Sequence, residues 1–129
     1  MSRYVLDATT LIAAYKGEPG ADRVRSLIGG SAISVVNLHE VAEYIVRLGG
    51  GRTEVEAALG PLAIEVHDAD HLLALEAAYL TSFGRHVGLS LGDRFCLALA
   101  MRLERTALTG DRAWLKVADR IGVRIELFR

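Results

Sequence analysis

Four acidic residues lie at junctions where a predicted strand ends or a predicted helix begins. They are Asp7, Glu40, Asp93 and Asp111. One carboxylate at such a junction is ordinarily a helix cap, because the first turn of a helix has unpaired N–H groups and the positive end of the helix dipole. Capping is a sufficient explanation for each acid alone. The repetition of the same setting along the chain indicates a shared chemical role.

In the predicted secondary structure, three of these acids follow short strands in the sequence. The strands and the acids that follow them are 4–6 with Asp7, 32–36 with Glu40, and 106–109 with Asp111. The fourth acid opens a helix, since Ser90 followed three residues later by Asp93 has the spacing of a capping box. Asn37 has the same spacing to Glu40 and is therefore a candidate cap for the helix after the second strand.

The remaining predicted elements complete an alternation of strands and helices. Further strands are predicted at 62–66 and 123–128, and further helices at 9–16, 21–28, 53–59 (with Thr53 and Glu56 as a capping box) and 68–83. In the helix predicted at 68–83, residues at helical spacing predict the buried face: Leu72, Leu75, Ala78 and Tyr79. The alternation predicts a single α/β domain over residues 1–129, with a mainly parallel sheet of about five strands.

The predicted sheet brings the acids to one edge and suggests a metal site. The carboxyl ends of parallel strands meet at one edge, where ligands bind. Carboxylates gathered there repel by about 1 kcal/mol per pair at ~4 Å in water, and by more when partly buried. A hard divalent cation would relieve this repulsion, and Mg²⁺ and Mn²⁺ prefer carboxylate oxygens. Such an ion with coordinated water suits phosphodiester hydrolysis, which implies a nucleic acid substrate.

Composition narrows the class of protein. The chain has 129 residues, of which 51% are hydrophobic, and no apolar run approaches the ~20 residues of a membrane-spanning helix. The N-terminal segment lacks a signal-peptide layout, and the only cysteine, Cys96, lies on the apolar stripe of its helix. We therefore expect a cytoplasmic protein with Cys96 in its core. The net charge of −1 argues against nonspecific attraction to nucleic acid but is compatible with a local cation site.

Four segments of the sequence resemble the acidic motifs of PIN-domain ribonucleases, specifically the VapC toxins of bacterial and archaeal toxin–antitoxin pairs. The segments are VLDATTLIAA, SVVNLHEVAEYI, LSLGDRFCLALA and ALTGDRAWL. The resemblance implies that Asp7, Glu40, Asp93 and Asp111 form the catalytic, metal-binding set. Thr9, Asn37 and Thr109 match polar positions beside those acids, and would either support them or act as ordinary turn and cap residues.

The same resemblance implies properties that spacing and composition do not. It implies a PIN-like three-layer α/β/α sandwich and a Mg²⁺ or Mn²⁺ cofactor. It also implies an RNA substrate, a homodimer and inhibition by a cognate antitoxin protein.

Several residues outside the acidic set have two interpretations. Four basic residues flank the expected cleft and could meet RNA phosphates, although charged side chains are more often solvated: Arg85, Arg94, Arg112 and Lys116. Trp114 and Tyr44 are either core residues or stacking platforms for bases. No histidine has a nucleophile or orienting partner placed with it, so we assign catalysis to none.

Other functions remain open at this point. A DxDxT phosphatase would need an acid at position 9, where the chain has Thr9. A non-catalytic binding module would use the carboxylates only as caps or as partners for basic residues of another protein. A housekeeping RNA-processing nuclease would carry the same acids as a toxin.

Overall fold

The computed structural model describes residues 3–83 and 87–129, and its centre is one parallel sheet. The strands are β1 (Tyr4–Leu6), β2 (Ala32–Ser34), β3 (Glu65–His67), β4 (Thr106–Thr109) and β5 (Ile125–Leu127). Their order is β3-β2-β1-β4-β5, and every pairing in the described part of the chain is parallel. Val5 of β1 is in register with Ala32 on one side and Ala107 on the other. The predicted parallel α/β architecture is confirmed.

Helices cover both faces of this sheet. They are α1 (Ala8–Lys16), α2 (Ala21–Leu27), α3 (Val35–Arg47), α4 (Arg52–Leu59), α5 (His71–Tyr79), α6 (Leu91–Leu103) and α7 (Ala118–Ile121), with 3-10 helices at Leu80–Phe83 and Arg112–Lys116. Side chains that alternate along each strand point to opposite faces, so the sheet separates two apolar cores. This arrangement is the expected three-layer α/β/α sandwich.

The two cores are built from different helices. Leu6, Ile33 and Leu108 of the sheet pack with Leu11 of α1, Val24 of α2 and Val41 of α3. On the other face, Val5, Ala32 and Ala107 pack with Leu73 of α5, Leu97 of α6 and Trp114 of the second 3-10 helix. The helices that carry the acids are thereby fixed to the central strands by buried contacts, and the acids take their positions from this packing.

Three of the predicted caps are present. Asp7 is the N-cap of α1, and Asp111 caps the 3-10 helix Arg112–Lys116, where its carboxylate accepts from the Ala113 amide at 2.9 Å. Ser90 and Asp93 form a reciprocal capping box at the start of α6.

Two other predicted caps are wrong. Ser34 rather than Asn37 is the N-cap of α3, since its hydroxyl accepts from the Val36 amide. The strand β2 therefore ends at Ser34, and Asn37 lies inside the helix, where its side chain is free for tertiary contacts. At α4 the N-cap is Gly51 rather than the predicted Thr53, and the Gly51 amide donates to the Glu54 carboxylate.

The segment predicted as one long helix at 68–83 differs most from expectation. Asp70 caps α5, which spans His71–Tyr79 and continues as a 3-10 helix. The residues predicted to be buried point outward, with Leu72 exposed at 63% and Tyr79 at 62%. Leu73 and Ala77 face the core instead. Both faces of this helix carry leucine or alanine, so periodicity alone could not choose between them.

The outer strands are shorter than predicted. Strand β3 covers Glu65–His67 rather than 62–66, and Leu62 and Ile64 pack against the core before the strand begins. Strand β5 covers Ile125–Leu127, inside the predicted 123–128. Within residues 3–83 and 87–129 no helix is long and apolar enough to cross a membrane.

Candidate metal and active site

The first acid, Asp7, is a buried carboxylate at the end of β1. It is 3% exposed, and three donors surround it. Both the amide and the hydroxyl of Thr9 donate to Oδ1, while the hydroxyl of Thr109 donates to Oδ2 at 2.6 Å. Burial raises the pKa of Asp7 to about 6, although these donors oppose the shift, and the charge of Asp93 raises it slightly more. Asp7 is thus rigidly held and costly to ionise.

Thr9 and Thr109 also connect Asp7 to the loop that carries Asp111. The Thr9 hydroxyl accepts from the Gly110 amide at 3.0 Å, and the Thr109 hydroxyl accepts from the Asp111 amide at 3.0 Å. Each hydroxyl therefore donates to Asp7 and accepts from the chain after β4. The structure places both threonines in contact with Asp7, and they fix the position of Asp111 relative to it.

Glu40 reaches the site from inside α3 rather than from a strand end. The sequence prediction placed it at the start of the helix, but α3 begins at Val35, so Glu40 lies in its second turn. Asn37, one turn earlier and buried, donates through Nδ2 to Glu40 Oε1 and to the Gly92 carbonyl, each at 2.9 Å. Asn37 thereby joins α3 to α6 and orients Glu40.

Gly92 is a residue of the site that the sequence did not predict. A Cβ at this position would lie 2.3 Å from Oε1 of Glu40 and 2.5 Å from Oε2, which is too close for any real contact. The Glu40 carboxylate therefore occupies the space that a side chain at position 92 would fill. Sequence offered only one signal for this role, the position of Gly92 directly before Asp93.

Asp93 is the centre of the acidic set. Burial raises its pKa, the capping-box hydrogen bonds from Ser90 oppose that shift, and the charge of Asp111 adds to it. The charge of Asp93 in turn raises the pKa of Asp7 and of Glu40. For Glu40, burial is again the largest cause of the raised pKa. Asp93 therefore interacts electrostatically with each of the other three acids.

The donor set fits a hard divalent cation in its chemistry. All the candidate ligands are carboxylate oxygens, and burial together with mutual repulsion raises the pKa of Asp7, Glu40 and Asp93. In the part of the chain that the structure describes, no group of three or more His, Cys, Asp or Glu side chains lies close enough together to hold a metal ion. Mg²⁺ does not need three protein ligands, because it keeps several waters and commonly binds one or two carboxylates.

The four basic residues predicted to flank the cleft differ in their exposure and in their contacts. Arg112 and Lys116 are exposed on the 3-10 helix that Asp111 caps. Arg94 is partly buried, and its guanidinium donates to the Thr81 hydroxyl at 2.8 Å, so it ties α6 to the first 3-10 helix. Arg85 lies outside the described residues.

The two aromatic candidates for base stacking differ in burial, and Trp114 is a core residue. Trp114 and Cys96 are fully buried, which confirms the expected core position of Cys96. Burial raises the pKa of the Cys96 thiol well above its ordinary value, and Asp7, Asp93 and Glu40 add to the shift. Tyr44 is half-buried, and Lys16 Nζ lies 5.6 Å from its ring centre.

Two features away from the acids could be mistaken for the site. An apolar cavity of about 500 Å³ lies between α1, α3 and α4, and none of the four acids lines it. His67 ends β3 and His71 begins α5, so the two histidines do not share one helical face as a metal-binding pair would. We therefore regard the acid cluster as the functional site.

Comparison with known proteins agrees with this geometry. The PIN domain family model matches residues 4–120. No curated protein matched the sequence. Among solved structures, the chain is similar to one from DNA-bound VapBC of Salmonella typhimurium, with 18% identity, a TM-score of 0.77 and 100% of each chain covered.

Two further structures share the fold. A chain of VapBC2 from Rickettsia felis, bound to a promoter DNA fragment, has 17% identity and a TM-score of 0.72, with 97% of this chain and 98% of that chain covered. VapC20 of Mycobacterium tuberculosis, described as a toxin that cleaves the sarcin-ricin loop, has 16% identity and a TM-score of 0.65, with coverage of 82% and 87%. These identities establish the fold alone. The family model spans most of the chain and all four acids, and this chain therefore belongs to the PIN domain family.

Proposed function

We propose that this protein is a metal-dependent endoribonuclease that hydrolyses RNA phosphodiester bonds at the acidic site. The observation that carries the proposal is the electrostatic interaction of Asp93 with Asp7, Glu40 and Asp111, each of which lies on a different element of the fold. Helix capping accounts for Asp7, Asp93 and Asp111 individually, but not for Glu40, which lies within a helix and is held in place by Asn37. Membership in the PIN domain family supports nuclease chemistry.

The proposed metal ligands come from the four acids, one or two of which would bind Mg²⁺ or Mn²⁺ directly while the others contact its waters. When bound, the ion would lower the pKa of a water and neutralise charge on the phosphoryl oxygens. The chain itself orients the ligands: Thr9 and Thr109 hold Asp7, Asn37 holds Glu40, and Ser90 holds Asp93. Because these donors come from the folded scaffold, the carboxylates need little rearrangement to bind an ion.

The proposed substrate surface is the exposed side of the second 3-10 helix. Arg112 and Lys116 stand on the same element as the cap Asp111, so phosphates contacted by them would lie beside the acids. Such contacts position RNA without reading its sequence. Arg94 is a weaker candidate, since its guanidinium already has Thr81 as a partner.

We further propose that the nuclease is the toxin of a toxin–antitoxin pair, acts as a homodimer and is inhibited by an antitoxin protein. The support is the family match together with the fold shared with chains of VapBC complexes. A housekeeping PIN nuclease is the alternative. Expression of the chain alone should arrest growth if it is a toxin, and coexpression of an inhibitory partner should restore growth.

The central experiment is RNA cleavage by the purified protein with Mn²⁺, with Mg²⁺ and with EDTA. The panel should include single-stranded RNAs, structured RNAs and the sarcin-ricin loop, since one protein of this fold is described as cleaving that loop. We expect cleavage that requires the metal and is lost in Asp93→Asn. Asp22→Asn, an exposed acid on α2, is the matched control and should cleave like the native protein.

The same experiment separates the enzyme from a non-catalytic binding module. In a binding module the acids only cap helices or meet a basic partner, so Asp93→Asn would change neither cleavage nor metal affinity. Absence of cleavage on every RNA, combined with absence of Mn²⁺ binding by calorimetry, would overturn the nuclease proposal.

A further inference from the structure

The side chain of Arg129, which follows strand β5, lies against the loop that carries Asp111. A Cβ placed on Gly110 would lie 3.2 Å from Nε of Arg129, so this arginine covers the face of the glycine where a side chain would project. Gly110 directly precedes Asp111, and its amide donates to the Thr9 hydroxyl that also donates to Asp7. A cationic side chain is therefore placed one residue away from the acidic site.

The backbone around Phe128 fixes Arg129 in this place. Phe128 is 2% exposed, and its amide donates to the Thr109 carbonyl at 3.2 Å. The Phe128 ring would lie 3.0 Å from a Cβ on Gly110, and the Phe128 carbonyl would lie 2.7 Å from a Cβ on Gly20, the N-cap of α2. Because both positions are glycine, the end of β5 packs closely against α2 and the loop before Asp111.

The charge of Arg129 is only partly balanced by its ion pair. Oε1 of Glu18 lies 3.3 Å from Nη1 of Arg129, while Oε2 lies 3.1 Å from Nζ of Lys16. One carboxylate thus serves two cations, and both cations remain partly exposed, at 38% for Arg129 and 41% for Lys16. Adjacent ion pairs of α2 are one to one: Arg23 with Glu126 and Arg25 with Asp22. This group of residues therefore keeps an excess of positive charge next to the acids.

The position and exposure of Arg129 suit a phosphate ligand. Exposed ion pairs contribute little to stability, so the pair with Glu18 is a weak structural reason for an arginine at this point. A guanidinium offers paired donors that match the oxygens of a phosphate. A phosphate bound by Arg129 would lie beside Gly110, and hence next to the phosphodiester on which the acids would act.

We propose that Arg129 binds an RNA phosphate adjacent to the scissile bond, and that Glu18 holds the guanidinium until that phosphate replaces it. The proposal rests on the function proposed above, since it assigns one contact between that site and its substrate. It adds a second cationic element, after β5, to the surface formed by Arg112 and Lys116.

The direct test is RNA binding by Arg129→Gln. Anisotropy of a fluorescein-labelled single-stranded RNA is measured at several salt concentrations in EDTA, with Asp93→Asn in every variant so that no RNA is cleaved. We expect Arg129→Gln to lower the affinity at least about threefold at low salt and to reduce the salt slope by about 0.7, the value for one phosphate contact on a single strand. Arg129→Lys should restore the salt slope but only part of the affinity, because lysine keeps the charge without the paired donors.

Arg102→Gln is the matched control. Arg102 lies in the last turn of α6, is paired with Asp70 at 2.9 Å, and has a side chain that is 34% exposed. Its replacement removes the same charge and a similar ion pair at the end of α6 away from Asp93, so RNA binding should change little. Glu18→Gln should raise the affinity, because it removes the carboxylate that competes with phosphate for Arg129.

A second test locates the contact on the RNA. In an RNA that the native protein cleaves, each phosphate near the cleavage site is replaced in turn by an uncharged methylphosphonate. Replacement of the phosphate that Arg129 contacts should weaken binding to the Asp93→Asn protein but not to the same protein carrying Arg129→Gln, because both changes remove one interaction. We expect this loss of sensitivity at a single phosphate adjacent to the scissile bond.

The outcomes are distinguishable from failure of the proposed function. Affinity and salt slope in Arg129→Gln equal to those in Arg102→Gln would overturn the role of Arg129, even if RNA is cleaved. Loss of methylphosphonate sensitivity at a remote phosphate, or at none, would overturn it as well. Absence of RNA cleavage by the native protein with Mn²⁺ would overturn the nuclease, while the binding measurements in EDTA would still decide whether Arg129 contacts RNA.

Discussion

At the scale of single residues, Asp7 illustrates the conflict between stability and function at this site. Its folded pKa of about 6 lies above the ordinary value of 3.8, so the folded state binds the Asp7 proton more tightly than the unfolded state does. The free energy of unfolding must then fall as pH rises from about 4 to about 6, and the loss is complete above the folded pKa. A buried carboxylate that weakens the metal-free protein at neutral pH is explained if ion binding requires it.

Replacement of Asp7 by Asn should remove this penalty. In EDTA at pH 7.5 we expect Asp7→Asn to be more stable than the native protein by up to about 3 kcal/mol, the equivalent of the pKa shift. The difference should nearly vanish near pH 4, where Asp7 is protonated in the folded native protein and about half protonated in the unfolded chain. Urea unfolding at the two pH values measures this, and an equal or larger gain at pH 4 would contradict the assigned cause. The same variant should lose metal-dependent cleavage.

Gly92→Ala tests the contact with Glu40. Its methyl group would displace the Glu40 carboxylate, which lies at the end of a flexible side chain and can move. We expect weaker Mn²⁺ binding and slower cleavage with little loss of stability, because alanine favours the helix by about 1 kcal/mol over glycine.

A double-mutant comparison provides the control for this prediction. In a Glu40→Gln background, Gly92→Ala should add little to the loss of metal affinity, because the two changes act through the same carboxylate. Additive losses would mean that Gly92 acts independently of Glu40.

At the scale of elements, α5 shows how burial decides which face of a helix matters. Leu73 is fully buried against α6, while its neighbour Leu72 is exposed at 63%. Leu73→Ala should lower the free energy of unfolding by about 2–5 kcal/mol, the range for a leucine in a close-packed core. Leu72→Ala is the matched control and should change it by no more than about 0.5 kcal/mol. Denaturant unfolding of both variants decides between this face and the predicted one.

At the scale of the whole molecule, ion binding and folding should be linked. A cation that neutralises the acids binds the folded state and not the separated acids of the unfolded chain. Mn²⁺ at about 100 times its dissociation constant should raise the free energy of unfolding by about 2.7 kcal/mol. EDTA should reverse the gain, and Asp93→Asn should abolish it. A similar gain in Asp93→Asn would place the ion elsewhere.

The charge distribution makes a second prediction at this scale. With a net charge of −1, the molecule as a whole does not attract RNA, so affinity should depend on local cations. Neutralising Arg112 and Lys116 together to Gln should weaken RNA binding and reduce its salt dependence by about 1.5 units of slope, because two phosphate contacts are lost. Arg124→Gln, exposed before β5 at the opposite edge of the sheet, should have little effect. Binding measured at several salt concentrations tests both.

The local pattern of the sequence determined the architecture and most of the site. Short apolar segments bounded by caps and glycines predicted the central strands β1 and β4 with their observed ends, because strands buried on both faces have a distinctive composition. The acids Asp7, Asp93 and Asp111 were predictable because each also caps a helix, which is a local interaction between residues two or three apart.

Features of the site that depend on contacts between elements distant in sequence were decided only by the tertiary structure. Asn37 binds Gly92 across 55 positions of sequence, and Gly92 leaves space for Glu40, yet neither contact has a local signature. The buried face of α5 depended likewise on which side met α6. Asp93 became the centre of the site because packing of α6 against β1 and α3 sets the distances between charges. The sequence thus determined which acids exist and at which junctions, while the fold decided how they act on one another.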